Sequence, residues 1–279
     1  MTQQLKIPGL DLEGTTCQSF PSSEISPGSQ TSKASQNPPT YINNGKFDPL
    51  LSTEISFFSA PQASQNENLI RLVSGIFNES FGYRPDGRPY RLGPKSTTER
   101  LESTDFLFIA GSEKGGIGYL FGKEIPCSSG RVSWIESMAV LPLYRRQGIA
   151  TALVNEFAKT TKGALKFGCA TPNPIAALVV TRLITGNVFI SPRKPNFYIK
   201  RMLREIRKHC FDLKGCNIDD FNFRIKTGFS PLSRSDQREW APRTPSSKPV
   251  WWEKIENLPN EYEALIVIER NDSVLNTLQ

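Results

Sequence analysis

The sequence predicts an α+β domain preceded by a long polar tail, and three observations carry that prediction. "DFLFIAGS" (105–112) and "GIGYLFGKEI" (116–125) are apolar runs joined across a Glu-Lys-Gly-Gly turn, the mark of a β-hairpin. "VSWIESMAV" (132–140) alternates like a strand and passes through "LPLYRRQG" into a helix whose core stripe is Ile149, Leu153 and Phe157. "YEALIVIER" (262–270) reads as a further strand that closes the domain.

Taken in order, residues 1–62 form the tail. "SPGSQTSKASQNPPT" offers almost nothing to bury, so this segment is expected to be disordered. From Asn66 the pattern changes: Leu69, Ile70, Leu72, Val73, Ile76 and Phe77 recur at helical spacing, with Ser64 or Asn66 placed to cap the start. "GYRPDGRPYRLGP" is a loop dense in Gly, Pro and Arg. After the hairpin, "PCSSGR" breaks the chain before the 132–140 strand, in which Trp134, Glu136, Met138 and Val140 share a face if alternation holds. Gly163 stops the following helix, "ALKFGCA" (164–170) is a strand, and 173–186 is a helix with proline in its first turn. "NVFISP" reads as a short strand. "PNFYIKRMLREIRKHC" is an amphipathic helix with Ile199, Met202, Leu203 and Ile206 on its apolar face, and 230–249 is loop. The domain then spans 63–270, with 187–260 as an insertion before the last strand and 271–279 as a polar tail.

Bulk properties exclude several classes. The net charge of +7 and pI near 9.2 suit an anionic partner without choosing one. No nucleic-acid module accompanies the charge, so no nucleic-acid partner is expected. Five scattered cysteines without a CxxC pair argue against a disulfide framework or zinc knuckle, and a single histidine, His209, argues against a histidine metal site or a serine–histidine triad. No metal is expected. The N-terminus lacks a secretory layout and no apolar run reaches membrane-spanning length, so a cytoplasmic protein without stable membrane insertion is expected.

The turn between strand and helix carries the chemistry. A helix N-terminus presents unpaired N–H groups and partial positive charge, and Gly148 lets a ligand approach the backbone without a Cβ in the way. Arg145 and Arg146 add charge, which suits a diphosphate. Neither GxxxxGK[ST] nor GxGxxG occurs, so ATP and NAD have no support.

Arg145-Arg146-Gln147-Gly148-Ile149-Ala150 fits [Q/R]-x-x-G-x-[G/A] and resembles the pyrophosphate loop of the GNAT acetyltransferase superfamily. The context agrees: a strand ending in "MAV" before it, an apolar helix after it, then a strand and an "NxxA" helix at Asn173 and Ala176. The resemblance covers about 64–190 and the final strand. It implies a mixed, mostly antiparallel central sheet flanked by helices, whose fourth and fifth strands, here 132–140 and 164–170, splay apart around acyl-CoA. It also implies pantetheine on backbone groups of Met138, Ala139 and Val140, the diphosphate on N–H groups across Arg146 to Thr151, and Asn173 beside the cofactor. The co-substrate is then acetyl-CoA or another acyl-CoA.

Acyl transfer to an amine needs a proton acceptor. Glu136, a carboxylate in a core strand among apolar neighbours, is the first candidate for general base and Glu124 the alternative. The family's tyrosine acid falls on Val180 here, so the thiolate leaves unassisted, or Tyr198 or Tyr144 substitutes, or the domain binds acyl-CoA with little turnover. Cys169 reads as a buried structural cysteine. The insertion carries a basic helix and Trp240, Trp251 and Trp252, and is read as a substrate-selecting lid. The expected activity is N-acetyl transfer to an amine of a small molecule or peptide; the alternatives are a longer acyl chain or an acyl-CoA-binding module.

Overall fold

Asn66 caps the first long helix as its sequence anticipates, its Oδ1 accepting from the N–H groups of Asn68 and Leu69 at 3.0 and 3.2 Å. The computed structural model describes residues 53–81, 84, 86–112, 115–183, 186–189, 197–219, 223–229 and 251–270. Its strands are β1 (Glu54–Ser59), β2 (Phe106–Ser112), β3 (Gly115–Cys127), β4 (Gly130–Val140), β5 (Lys166–Thr171), β6 (Gly186–Phe189), β7 (Asn217–Asp219), β8 (Arg224–Lys226) and β9 (Tyr262–Arg270). Its helices are α1 (Ala60–Ala63), α2 (Glu67–Ser80), α3 (Pro94–Ser103), α4 (Ile149–Thr160), α5 (Pro174–Leu183), α6 (Phe197–His209) and α7 (Trp252–Glu256).

Among the described residues the strands form one sheet in the order β1-β2-β3-β4-β5-β9-β8-β7, with β6 also paired to β9. Every pairing is antiparallel except β4 with β5. One face packs against α4, α5 and α7 through Leu120, Ile135, Leu153, Phe157, Val180, Ile255 and Ile266. The other is covered in two parts. α2 and α3 meet Leu107, Ile109, Tyr119 and Phe121, and α6 meets Ile125, Val132, Trp134, Leu265 and Val267. Close approach on the α4 face requires Gly122, since a Cβ there would sit 2.5 Å from the Phe157 ring.

Three expectations are corrected. The tail does not extend to 62: Glu54–Ser59 form β1, paired to β2 from Glu54–Gly111 to Ser59–Phe106, and Ala60 and Ala63 are buried. Residues 1–52 and 271–279 lie outside the described residues. Helix α3 occupies a segment left unassigned, because only Thr97 and Leu101 of it are buried and the apolar stripe is too thin to read. The lid reading of 187–260 is also revised. α6 buries Met202, Leu203, Ile206 and Cys210, and Trp252 is 1% exposed, so both helices are core. Each such apolar side chain contributes about 1.5–3 kcal/mol. Trp240 and the 230–249 loop fall outside the described residues.

Candidate active site

Strands β4 and β5 are paired only through Val132–Lys166, Ser133–Phe167, Trp134–Gly168 and Ile135–Cys169. Beyond Ile135, β4 continues along β3 and β5 continues along β9, so the two part at Glu136. At the same residue β4 bulges. Phe121 opposes Ser137 while Gly122 opposes Ile135, which leaves Glu136 as the extra residue. The bulge breaks the expected alternation. Trp134 packs under α6, whereas Met138 and Val140 belong to the α4 side, so the four residues do not share one face.

Beyond the bulge the ladder is regular. Leu141 N–H donates to the Ile117 carbonyl at 2.9 Å, which places Ala139 in the β3 ladder and turns the backbone groups of Met138 and Val140 toward the gap. Ala139 therefore lends no backbone group to the gap. Arg145 is internal as well: Nε donates to the Val140 carbonyl at 2.9 Å and Nη2 to the Ser80 carbonyl at 3.0 Å. It holds the end of α2 against β4, so its side chain is engaged within the domain. Asn173 Oδ1 caps α5 by accepting from Ile175 N–H at 2.9 Å.

The turn itself fits a diphosphate. Gly148 is the N-cap of α4 with φ +80°, and no side chain caps the helix. The first intrahelical bond is Ala152 N–H to the Gly148 carbonyl, so the N–H groups of Ile149, Ala150 and Thr151 precede it. A Cβ on Gly148 would meet nothing within 4 Å, which leaves open space in front of those donors. Arg146, at φ 68°, and Gln147 are exposed beside it.

Residues 72–180 match the model of the acetyltransferase (GNAT) family. That stretch is similar to the GNAT acetyltransferases. The match supports N-acetyl transfer from an acyl-CoA as the enzyme class. Similar solved structures include the aminoglycoside N-acetyltransferase AAC(6')-Iy in complex with CoA, 20% identical over 47% of this chain and 87% of that one, with a TM-score of 0.35. Another is the NatC complex bound to Gag peptide and CoA, at 18%, 53%, 92% and 0.38. A third is Arabidopsis thaliana Naa50 with a bisubstrate analogue, at 17%, 53%, 93% and 0.36. Comparison with curated proteins gives no match.

On the α6 side of the gap the domain places charge. Glu136 Oε2 accepts from Phe211 N–H at 3.4 Å, while Oε1 is buried without a hydrogen-bond partner. Burial lifts the carboxyl to about 8 and the charge of Asp212 adds to the rise, with Lys123, the Phe211 N–H and Arg100 opposing it. Asp212, on the turn after α6, pairs with Arg100 of α3. Lys123 reaches the carbonyls of Ser103 and His209, the C-terminal ends of α3 and α6. Tyr119 shares a 2.9 Å hydrogen bond with Ser137.

The remaining candidates are placed elsewhere. Glu124 pairs with Arg131 at 3.6 Å, opposite Ser133 where β4 and β5 are still joined, so it is not in the gap. His209 is an exposed helix end. Cys169 is buried and its thiol is pushed up to about 12, unsuited to nucleophilic attack. Val180 is 1% exposed in the α4-side core. No group of residues suited to a metal ion, and no helix long and apolar enough to cross a membrane, occurs among the described residues. Sequence reasoning missed Arg100, Phe211 and Asp212. Their one signal, polar residues flanking apolar ones at a helix end, is common on any surface.

Proposed function

We propose that this domain transfers acetyl from acetyl-CoA to a primary amine of a small molecule or peptide by direct attack, with Glu136 as general base. The observation that carries the reading is Glu136 itself: a carboxyl on a bulge, where the strands part, with one buried oxygen lacking a partner. The N–H groups of Ile149 to Thr151 would hold the diphosphate, and Met138 and Val140 would hold the pantetheine. The amine nitrogen bonds to the thioester carbonyl carbon, the carbon–sulfur bond breaks, and the amine's proton passes to Glu136. With Val180 at the family's acid position, the thiolate leaves without a proton donor there.

The test is acetyl-CoA-dependent thiol release across primary amines. In the native chain kcat/KM rises with pH and levels off above about 8, as Glu136 gives up its proton. Glu136→Gln lowers the rate about 10²–10⁴-fold and removes that limb, while acetyl-CoA still raises the thermal midpoint. Native rates in the variant would remove Glu136 from the mechanism. Acetyl-CoA binding without amine-dependent thiol release would make the domain an acyl-CoA-binding module.

A further inference from the structure

Across the gap a second carboxyl stands on the same face of the sheet as Glu136. Glu263 lies near the start of β9, and alternation puts it with Leu265 and Val267, which pack under α6. Thr227 Oγ1, just past β8, donates to Glu263 Oε1 at 2.7 Å, and no other hydrogen bond to Glu263 is found among the described residues. Thr227 is itself held, its N–H donating to the Glu261 carbonyl at 3.0 Å.

The two carboxyls share surroundings. Asp212 and Arg100 act on both, and Lys123 acts on Glu136. The Cys169 and Cys216 thiols also feel Glu263. Burial lifts Glu263 to about 7, with Thr227 and Arg100 opposing and Asp212 adding. Both residues are only partly buried. The nearby cations are engaged elsewhere: Arg100 with Asp212, Lys123 with two helix-end carbonyls. Among the described residues, neither Glu136 nor Glu263 forms an ion pair of its own. The ladder Ile135–Cys169–Ile266 sets Glu263 two residues further along than Glu136, so their backbones stand about 12 Å or more apart where the strands part.

We propose that Glu263 is a specificity residue for the acceptor, holding a second ammonium group, so that the substrate class is a short aliphatic diamine. One nitrogen reacts at Glu136 while the other rests on Glu263 and its Thr227 partner. This assignment rests on the transferase reading above and narrows its substrate.

Calorimetric titration of the full chain with putrescine and with butylamine tests it without needing turnover. The native chain binds putrescine about ten-fold or more tightly than butylamine, and Glu263→Gln brings the ratio to about one. Should that variant fail to fold, Glu263→Asp serves instead: the shorter arm shifts the preference from putrescine toward the longer cadaverine. Equal binding of the two amines, no measurable binding of either, or a preference that survives in Glu263→Gln overturns the assignment. Diamine preference without thiol release sinks only the transferase chemistry, and thiol release without diamine preference sinks only the role of Glu263.

Discussion

On the α4 side of the sheet the helix termini are made by neighbours in sequence: Ala152 N–H bonds the Gly148 carbonyl one turn back, and Ile175 N–H bonds Asn173 Oδ1 two residues back. On the α6 side the partners are remote, with 75 residues between Phe211 and Glu136 and 112 between Arg100 and Asp212. The first side presents backbone donors and a glycine, which suit a diphosphate. The second presents buried side-chain charge, whose behaviour depends on what the rest of the chain brings to it. On the proposed function, the difference teaches where specificity would be stored: acyl-CoA recognition would be local and backbone-based, acceptor recognition long-range and electrostatic.

The strongest way to break this contrast is Gly148→Trp. The position has φ +80° and faces open space, so the indole strains the turn and fills the cradle. A ligand at 100 times its dissociation constant adds about 2.7 kcal/mol to the native chain, and thermal unfolding should show that gain vanish in the variant. A retained acetyl-CoA shift would mean that the α4 side is not the acyl-CoA site.

Asp212→Asn tests the other side. Breaking a fully buried pair costs about 3–5 kcal/mol. Because Asp212 keeps 34% of its side chain in solvent, about 2 kcal/mol is expected here by urea unfolding. The same change removes a charge that raises Glu136, so the rising limb of kcat/KM moves below pH 8. An unmoved limb would show that Asp212 supports the fold without tuning the base. Stability carries the matching sign. Because the folded-state pKa of Glu136 lies above its ordinary 4.5, its contribution is fully present below that value and is lost as pH rises through about 8. Glu136→Gln should flatten that slope in a stability–pH series.

The smallest effect sharpens the scale. Glu67 and Arg71 form an i,i+4 pair with 82% and 72% of their side chains exposed. Glu67→Gln should change stability by less than about 0.5 kcal/mol in urea. A larger loss would mean that surface charge matters here more than the buried cluster implies.

Much of the fold was legible because it is written in short-range patterns. The final strand matches its sequence reading end to end, and the cap at Asn66 and the glycine turn at 148 are where the residues place them. Glu136 was legible as an acid in an apolar strand, and Glu263 carries the same signal in "YEALIVIER", although it passed unnoticed there. Arg145 reads in the sequence only as a basic residue beside a phosphate turn. Only the folded chain shows Ser80 and Val140 offering it carbonyls.

The sequence alone determined the helices, the main strands and the helix N-terminus with its free N–H groups, because these follow from periodicity, capping and conformational freedom within a few residues. Tertiary structure decided the rest. A bulge belongs to a pair of strands, so Glu136 becomes the extra residue only once Gly122 on β3 settles opposite Ile135 with Phe157 packed above it. The basicity of Glu136 and Glu263 follows from desolvation and from the charges of Asp212 and Arg100. Both are properties of proximity, and proximity between remote segments comes into being only when the chain folds.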